Sequence, residues 1–191
     1  MAEPASLDRR SPLAGRLPWS LPDGVVTLEE LPFARQIAIR QRSRVAAYLA
    51  GLPWPLEPNR VAAMGSVRVL WLSPDEWLVT APDGAVPELL PRLARALAGR
   101  RALTIDLSSS RAIIAIGGRW ARALLEKGCG LDLHPRAFGP GHCAQTLFAH
   151  LPVIVDQVGA APSYRLLVRR SAARWLAGWL IDAAEEFRVT R

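Results

Sequence analysis

A chain of 191 residues is long enough for one domain, or for two small lobes. Half of its residues are hydrophobic, as in ordinary globular proteins, but no apolar run reaches the roughly 18 residues of a membrane span, so we expect no membrane segment. The net charge is +7, and 23 of the 24 basic residues are arginines because Lys127 is the sole lysine; such a surface suits an acidic protein partner or a nucleic acid.

The first 24 residues are predicted to form a flexible tail, because they are rich in proline, arginine and small residues. They lack the apolar core of a secretory signal, so we expect a cytoplasmic protein. In that compartment Cys129 and Cys143 are expected to be thiols. Residues 25–191 are predicted to form a single domain, with room for two lobes over 25–100 and 101–191.

Elements of the first lobe follow from hydrophobic periodicity. Strands are predicted over 25–28 and 34–40, and Ser43 is predicted to cap a short helix over 44–50. A hairpin is then predicted, with strands over 67–72 and 77–80. A helix starting near Pro87 is indicated by apolar residues that share one face, with Gly99 as its stop: Val86, Leu89, Leu90, Leu93 and Leu97.

The second lobe alternates strands with single helices. Strands are predicted on both sides of the serine-rich bend at 108–110, and again over 143–149, 152–158 and 164–169. A helix over 119–128 follows Gly117 and Gly118. Ser171 is predicted to cap a last helix, whose apolar stripe consists of Trp175, Leu176, Trp179, Leu180, Ala183, Ala184 and Phe187. We expect basic neighbours for the acidic residues at its C-terminal end, because these oppose the helix dipole: Asp182, Glu185 and Glu186.

This order of elements predicts the α+β class, with a mainly antiparallel sheet and packed helices. Strand pairs interrupted by single helices do not fit the regular alternation of a parallel α/β fold.

Metal binding is one function that the spacing of cysteines and histidines suggests. Cys129, His134, His142 and Cys143 lie within fifteen residues, but their spacing matches no standard zinc motif. Adjacent residues of a strand point to opposite faces, which separates His142 from Cys143. We therefore expect the cysteines to be small core residues and predict no metal site.

Other candidate chemistries have simpler structural interpretations. The serines at 108–110 after Asp106 are typical of a turn rather than a catalytic triad. Gly117 and Gly118 match no phosphate-binding motif and indicate close packing at a strand–helix corner. Six tryptophans that could stack on bases lie mostly in apolar segments and are expected in the core: Trp54, Trp71, Trp77, Trp120, Trp175 and Trp179. We predict no catalytic or cofactor-binding residue.

Four segments together carry a family resemblance over residues 65 to 187: "LSPDEWLV", "DLSSSRAIIAIGG", "LLEKGCGLDLHPRAFGPGHCAQT" and "LLVRRSAARWLAGWLIDAA". In this combination the chain resembles the gamma subunit of heterotetrameric sarcosine oxidase. The resemblance implies a fold like the N-terminal folate-binding fold of the glycine-cleavage T-protein.

The resemblance also implies a division of labour among four subunits in the oxidative demethylation of sarcosine. It gives NAD and a tetrahydrofolate-binding region to the alpha subunit, FAD and FMN to the beta subunit, and zinc to the delta subunit. The gamma chain holds no cofactor and packs against alpha. Related enzymes oxidise other N-methyl amino acids.

Two other functions stay open from the residues. A folate-binding protein or aminomethyl-transfer enzyme would need a pocket carboxylate, for which Asp106, Asp132 and Asp156 are the candidates. A nucleic-acid-binding domain would need an arginine stripe on one face and salt-sensitive affinity.

Overall fold

The apolar alternation of the sequence produces two large antiparallel sheets and one two-stranded sheet, formed by Tyr48–Leu49 and Leu52–Pro53, in the computed structural model, which describes residues 8–42 and 46–188. In chain order the strands are β1 Trp19–Ser20, β2 Thr27–Glu30, β3 Arg35–Gln41, β4 Tyr48–Leu49, β5 Leu52–Pro53, β6 Val61–Met64, β7 Val67–Ser73, β8 Glu76–Ala81, β9 Ala102–Asp106, β10 Arg111–Gly117, β11 Cys143–Phe148, β12 Leu151–Gly159 and β13 Ser163–Arg169. The α-helices are α1 Leu89–Leu97, α2 Ala121–Glu126 and α3 Ala173–Ala184.

The two large sheets stack face to face, with helices on the outside. The larger sheet has the order β1-β2-β10-β13-β12-β11, and the smaller has the order β6-β7-β8-β3-β9. Helices α2 and α3 pack on the outer face of the larger sheet, and α1 packs on the outer face of the smaller one. Between the sheets lies a third apolar layer, formed by Ala34, Leu70, Leu72, Leu78, Ile113, Cys143, Ile154 and Leu167. The predicted α+β class with antiparallel sheets is confirmed.

Local periodicity located most elements correctly. The predicted hairpin is β7 and β8, which pair from Arg68 opposite Thr80 to Ser73 opposite Glu76. The predicted helix α1 buries Leu89, Leu93 and Leu97 against the smaller sheet. No helix within residues 8–42 and 46–188 is long and apolar enough to cross a bilayer.

The short helix predicted over 44–50 is wrong. Residues Tyr48–Leu49 form a strand that pairs with Leu52–Pro53 across a two-residue turn. Ala50 and Gly51 both have positive φ, at 52° and 70°, which is the pattern that type I′ hairpin turns require. Ser43, the predicted cap of that helix, lies outside the described residues.

The serine-rich bend joins two sheets instead of forming a hairpin. Strand β9 before it pairs with β3 in the smaller sheet, whereas β10 after it pairs with β2 and β13 in the larger one. The two large sheets therefore do not correspond to the segments 25–100 and 101–191. Strand β9 comes after residue 100 but belongs to the smaller sheet, and β2 comes before residue 100 but belongs to the larger sheet.

The last helix differs from its prediction in its N-terminal capping residue and in the exposure of one tryptophan of the apolar stripe. A 3-10 turn, Arg170–Ala172, precedes α3, and Ala172 occupies the cap position, so Ser171 does not cap the helix. Trp175 is 54% exposed, while Leu176 and Leu180 are fully buried. The basic neighbours expected at the C-terminal end are present, since Lys127 Nζ lies 2.6 Å from the Glu186 carboxylate.

Residues 8–24, the described part of the segment predicted to be a flexible tail, pack on the domain. Leu13 and Leu21 are buried in the cluster between the larger sheet and α3, and Trp19–Ser20 pairs with β2. Arg16 donates a hydrogen bond of 3.0 Å to the carbonyl oxygen of Arg174. Apolar side chains spaced among prolines thus anchor this segment.

Candidate functional site

The serine-rich bend uses its polar groups within itself. Asp106 accepts hydrogen bonds from the Ser108 amide at 2.8 Å and from the Ser108 hydroxyl at 2.5 Å. Ser110 donates to the carbonyl oxygen of Leu107 at 2.8 Å. Partial burial raises the pKa of Asp106, but the Ser108 hydrogen bonds and Arg35 outweigh it, and the pKa lies below its usual value. An ionised carboxylate that accepts these bonds stabilises a turn.

The cysteine–histidine group is divided between environments. Cys129 belongs to the cluster under α3, whereas Cys143 lies between the two sheets. His142 Nδ1 contacts the Gly139 backbone, and Asp132 accepts a hydrogen bond of 3.0 Å from the His134 amide. Within residues 8–42 and 46–188, no three histidine, cysteine or acidic side chains meet as a metal would require.

A buried ion pair between the sheets is the main polar feature that sequence reasoning missed. Arg68 on β7 donates to both carboxylate oxygens of Asp156 on β12, at 2.7 Å and 2.5 Å. The Asp156 side chain is 1% exposed and that of Arg68 is 10% exposed. The sequence did indicate that these two residues are unusual, because each is the one charged residue in an apolar strand segment. Arg68 lies in "VRVLWL" and Asp156 lies in "VIVDQV".

Each carboxylate that was a candidate for a folate pocket is paired with a different arginine. Asp106 pairs with Arg35 at 3.2 Å, Asp132 with Arg136 at 3.7 Å, and Asp156 with Arg68. The three aspartates therefore belong to three separate ion pairs and do not line one common pocket.

The glycine pair forms the close approach that its position predicts. A Cβ on Gly118 would lie 2.4 Å from the Val25 carbonyl oxygen, and one on Gly117 would lie 2.9 Å from the Thr27 hydroxyl. Trp120 donates its backbone N–H to the same Val25 carbonyl at 3.2 Å. The glycines thus fix the start of α2 against the chain that leads into β2.

The tryptophans serve mainly in packing, as expected. Trp54 and Trp77 are buried edge to face, with ring centres 5.7 Å apart. Trp179 meets Phe148 edge to face at 5.1 Å. The exposed Trp175 is the exception. Buried indoles are unavailable to stack on nucleic-acid bases.

We predict that Cys143 is chemically inert in the folded protein. Burial raises the pKa of its thiol to about 12, and the nearby Asp156 carboxylate adds to this effect. In a Cys129→Ala variant, the one remaining thiol should react with a disulfide reagent at pH 8 at least about 100-fold more slowly when folded than in denaturant. The same background with Ser109→Cys, at an exposed position of the bend, should gain one thiol that reacts rapidly. Equal rates for folded and unfolded Cys143 would contradict the buried placement.

Comparison with known proteins shows similarity to the gamma subunit of sarcosine oxidase. A family model described as "Sarcosine oxidase, gamma subunit family" matches residues 18–186. The sarcosine oxidase subunit gamma of an Arthrobacter species is 38% identical over 189 residues, covering 94% of this chain and 91% of that protein.

Solved structures agree in fold. A chain of the heterotetrameric sarcosine oxidase from Corynebacterium sp. U-96 superposes with a TM-score of 0.83 and 35% identity, covering 95% of this chain and 97% of that chain. The glycine cleavage system aminomethyltransferase T from Bartonella henselae shares the fold alone, with a TM-score of 0.62 and 16% identity over 81% of this chain and 45% of that one. The resemblance in the four sequence segments is therefore confirmed, and this chain belongs to the sarcosine oxidase gamma subunit family.

Proposed function

We propose that this chain is the gamma subunit of a heterotetrameric sarcosine oxidase and that it contributes by packing against the larger alpha subunit. The observation that carries the proposal is the end-to-end match to a chain of the Corynebacterium heterotetramer, which leaves 5% of this chain and 3% of that chain uncovered. Oxidative demethylation of sarcosine to glycine would then be the activity of the assembly. The beta and delta subunits complete it, and the cytoplasm is its compartment.

A non-catalytic role is supported by the state of the candidate groups. The Ser108 hydroxyl is bound by Asp106, Cys143 lies between the sheets, and Asp156 is held by Arg68. We assign no cofactor to this chain and place FAD, FMN, NAD, tetrahydrofolate and zinc in the other three subunits.

A packing role is supported by the surface. Large apolar side chains remain exposed on several elements, namely Tyr48, Leu56, Met64, Leu103, Ile105, Leu147 and Trp175. Leu103 and Ile105 alternate along β9, so they share one face of that strand, and adjoining exposed apolar side chains are typical of contact regions. A permanent interface should bury at least ~1,600 Å² in total.

Omission of this chain from the co-expressed complex tests the proposal. We expect loss of sarcosine oxidase activity, and loss of the intact tetramer on size exclusion, because the alpha subunit no longer has this chain to pack against. Adding back the folded chain should restore both, whereas adding back heat-unfolded chain should not. Full activity without this chain, or turnover of sarcosine by this chain alone, would overturn the proposal.

A further inference from the structure

One surface cleft collects positive charge that the packing role does not use. Two adjoining hollows, of about 200 Å³ and 740 Å³, share Pro12, Arg111 and Arg170 in their walls. We call them together the arginine cleft, defined by Pro12, Ser110, Arg111, Arg169, Arg170 and Ser171. The cleft lies where β10 begins, β13 ends and the chain turns into α3.

The charge balance of the cleft is one-sided. Among the described residues, five arginines line the two hollows, and Glu30 is the one carboxylate. Glu30 is itself engaged, because it accepts a hydrogen bond from the Ser11 hydroxyl. The walls therefore offer many donors and few acceptors.

Two of these arginines are direct cross-strand neighbours. Arg111 and Arg169 occupy opposite positions in the antiparallel pair of β10 and β13. Like charges at opposite positions repel each other. Burial lowers the pKa of the Arg111 guanidinium; Glu76 partly offsets this, and the charge of Arg169 lowers the pKa further. An anion between the two guanidinium groups would relieve this repulsion.

The buried part of Arg111 also lacks a partner. Its Nη1 atom is shielded from solvent and has no hydrogen-bond acceptor among the described residues. Buried donors are almost always satisfied, because leaving one unpaired is costly. Rotation of the Arg111 guanidinium toward the cleft would bring this unpaired donor to an anion.

Neighbouring groups fix the geometry of the cleft. The Arg170 backbone N–H donates to the Ser110 carbonyl at 2.9 Å, and its guanidinium donates to the Arg10 carbonyl. The next residue, Ser171, adds a hydroxyl group to the wall. Backbone contacts therefore hold the Arg170 guanidinium in place, which reduces the entropy lost when a ligand binds.

We propose that the arginine cleft is a binding site for an oxyanion, a phosphate or carboxylate group held between Arg111 and Arg169. The guanidinium fork matches both anions in bidentate geometry. A free anionic metabolite or an acidic side chain of a partner subunit could supply this group. The site consists of this chain's own residues and does not depend on the proposed subunit role.

Calorimetric titration of the isolated full-length chain with inorganic phosphate, against a buffer matched in ionic strength with chloride, tests the site. We expect saturable binding that Arg169→Gln weakens at least about 10-fold, since one charge-assisted bidentate contact is lost. Arg111→Gln should have a similar effect. Arg136→Gln serves as the matched control, because Arg136 is exposed and pairs with Asp132 outside the cleft. Absence of saturable binding, or an unchanged affinity in both cleft variants, would overturn the proposal.

Repeating the titration on the assembled complex separates the two sources of the anion. Phosphate binding that persists in the complex identifies a free anion as the ligand. Phosphate binding that disappears on assembly, together with dissociation of the Arg169→Gln complex at lower chloride concentration than that of Arg136→Gln, identifies an acidic group of a partner subunit. Both results support the oxyanion site, and disappearance without any change in salt sensitivity counts against it.

Discussion

Replacing Asp156 with asparagine is expected to lower the free energy of unfolding by about 3–5 kcal/mol, the cost of leaving a buried charge unpaired. The variant keeps the shape of the side chain but removes the negative charge that Arg68 binds through two hydrogen bonds. The substitution also removes a negative charge next to Arg165, because Asp156 lies opposite Arg165 in the β12–β13 pair. Burial lowers the pKa of Arg165, and the Asp156 carboxylate opposes that shift. Two guanidinium groups therefore lose their counter-charge.

Urea unfolding of three variants measures this effect. The matched control is Asp132→Asn, which removes a carboxylate from an exposed pair with Arg136 and should change stability by less than about 1 kcal/mol. The double variant Arg68→Met with Asp156→Leu removes both charges and fills the space with apolar atoms. It should recover part of the loss, because a buried ion pair is often no more stable than its apolar replacement. Equal losses in Asp156→Asn and Asp132→Asn would show that the pair is not buried.

The fold was predictable where local periodicity reports burial. Alternation in "ARQIAIR" placed β3 within one residue at each end, and the spacing of leucines placed α1. Prediction failed where contacts distant in sequence decide the conformation. Tyr48 and Leu49 follow a helix-compatible stretch, but the turn at Ala50 and Gly51 folds them onto Leu52–Pro53. Leu13 lies in a polar, proline-rich stretch, and its burial depends on a cluster formed mostly by residues about a hundred or more positions away.

The polar features were predictable in type but not in pairing. Arg68 in an apolar strand indicates a buried cation that needs a carboxylate. The partner, Asp156, is 88 residues away; it too lies in an apolar strand, but the local sequence does not show that these two strands pack against each other. Arg111 and Arg169 similarly become neighbours only through the register of β10 and β13. Family resemblance carried the functional inference further than the residues alone, because a packing role has no motif of its own.

Replacing Gly118 with alanine is expected to destabilise the protein by roughly 2–5 kcal/mol, combining backbone strain with overpacking. Gly118 has a φ of 103°, a conformation that residues with a Cβ rarely adopt. The added methyl group would lie 2.4 Å from the Val25 carbonyl oxygen and 2.5 Å from that of Gly24. Both neighbours are backbone atoms, so no side chain can rotate to make room. Thermal unfolding followed by circular dichroism should show a Tm lower by on the order of 10 °C.

Gly130→Ala is the matched control, because it makes the same substitution on the other side of α2. A Cβ at Gly130 would meet no atom within 4 Å, so its stability should stay within about 0.5 kcal/mol of the parent chain. The contrast separates the local requirement at Gly118 from the general entropic effect of removing a glycine, which favours both variants equally. The Val25 carbonyl also accepts the Trp120 N–H, so displacement of Val25 would weaken the start of α2 as well. A Gly118→Ala variant as stable as Gly130→Ala would mean that the chain leading into β2 does not approach α2 this closely.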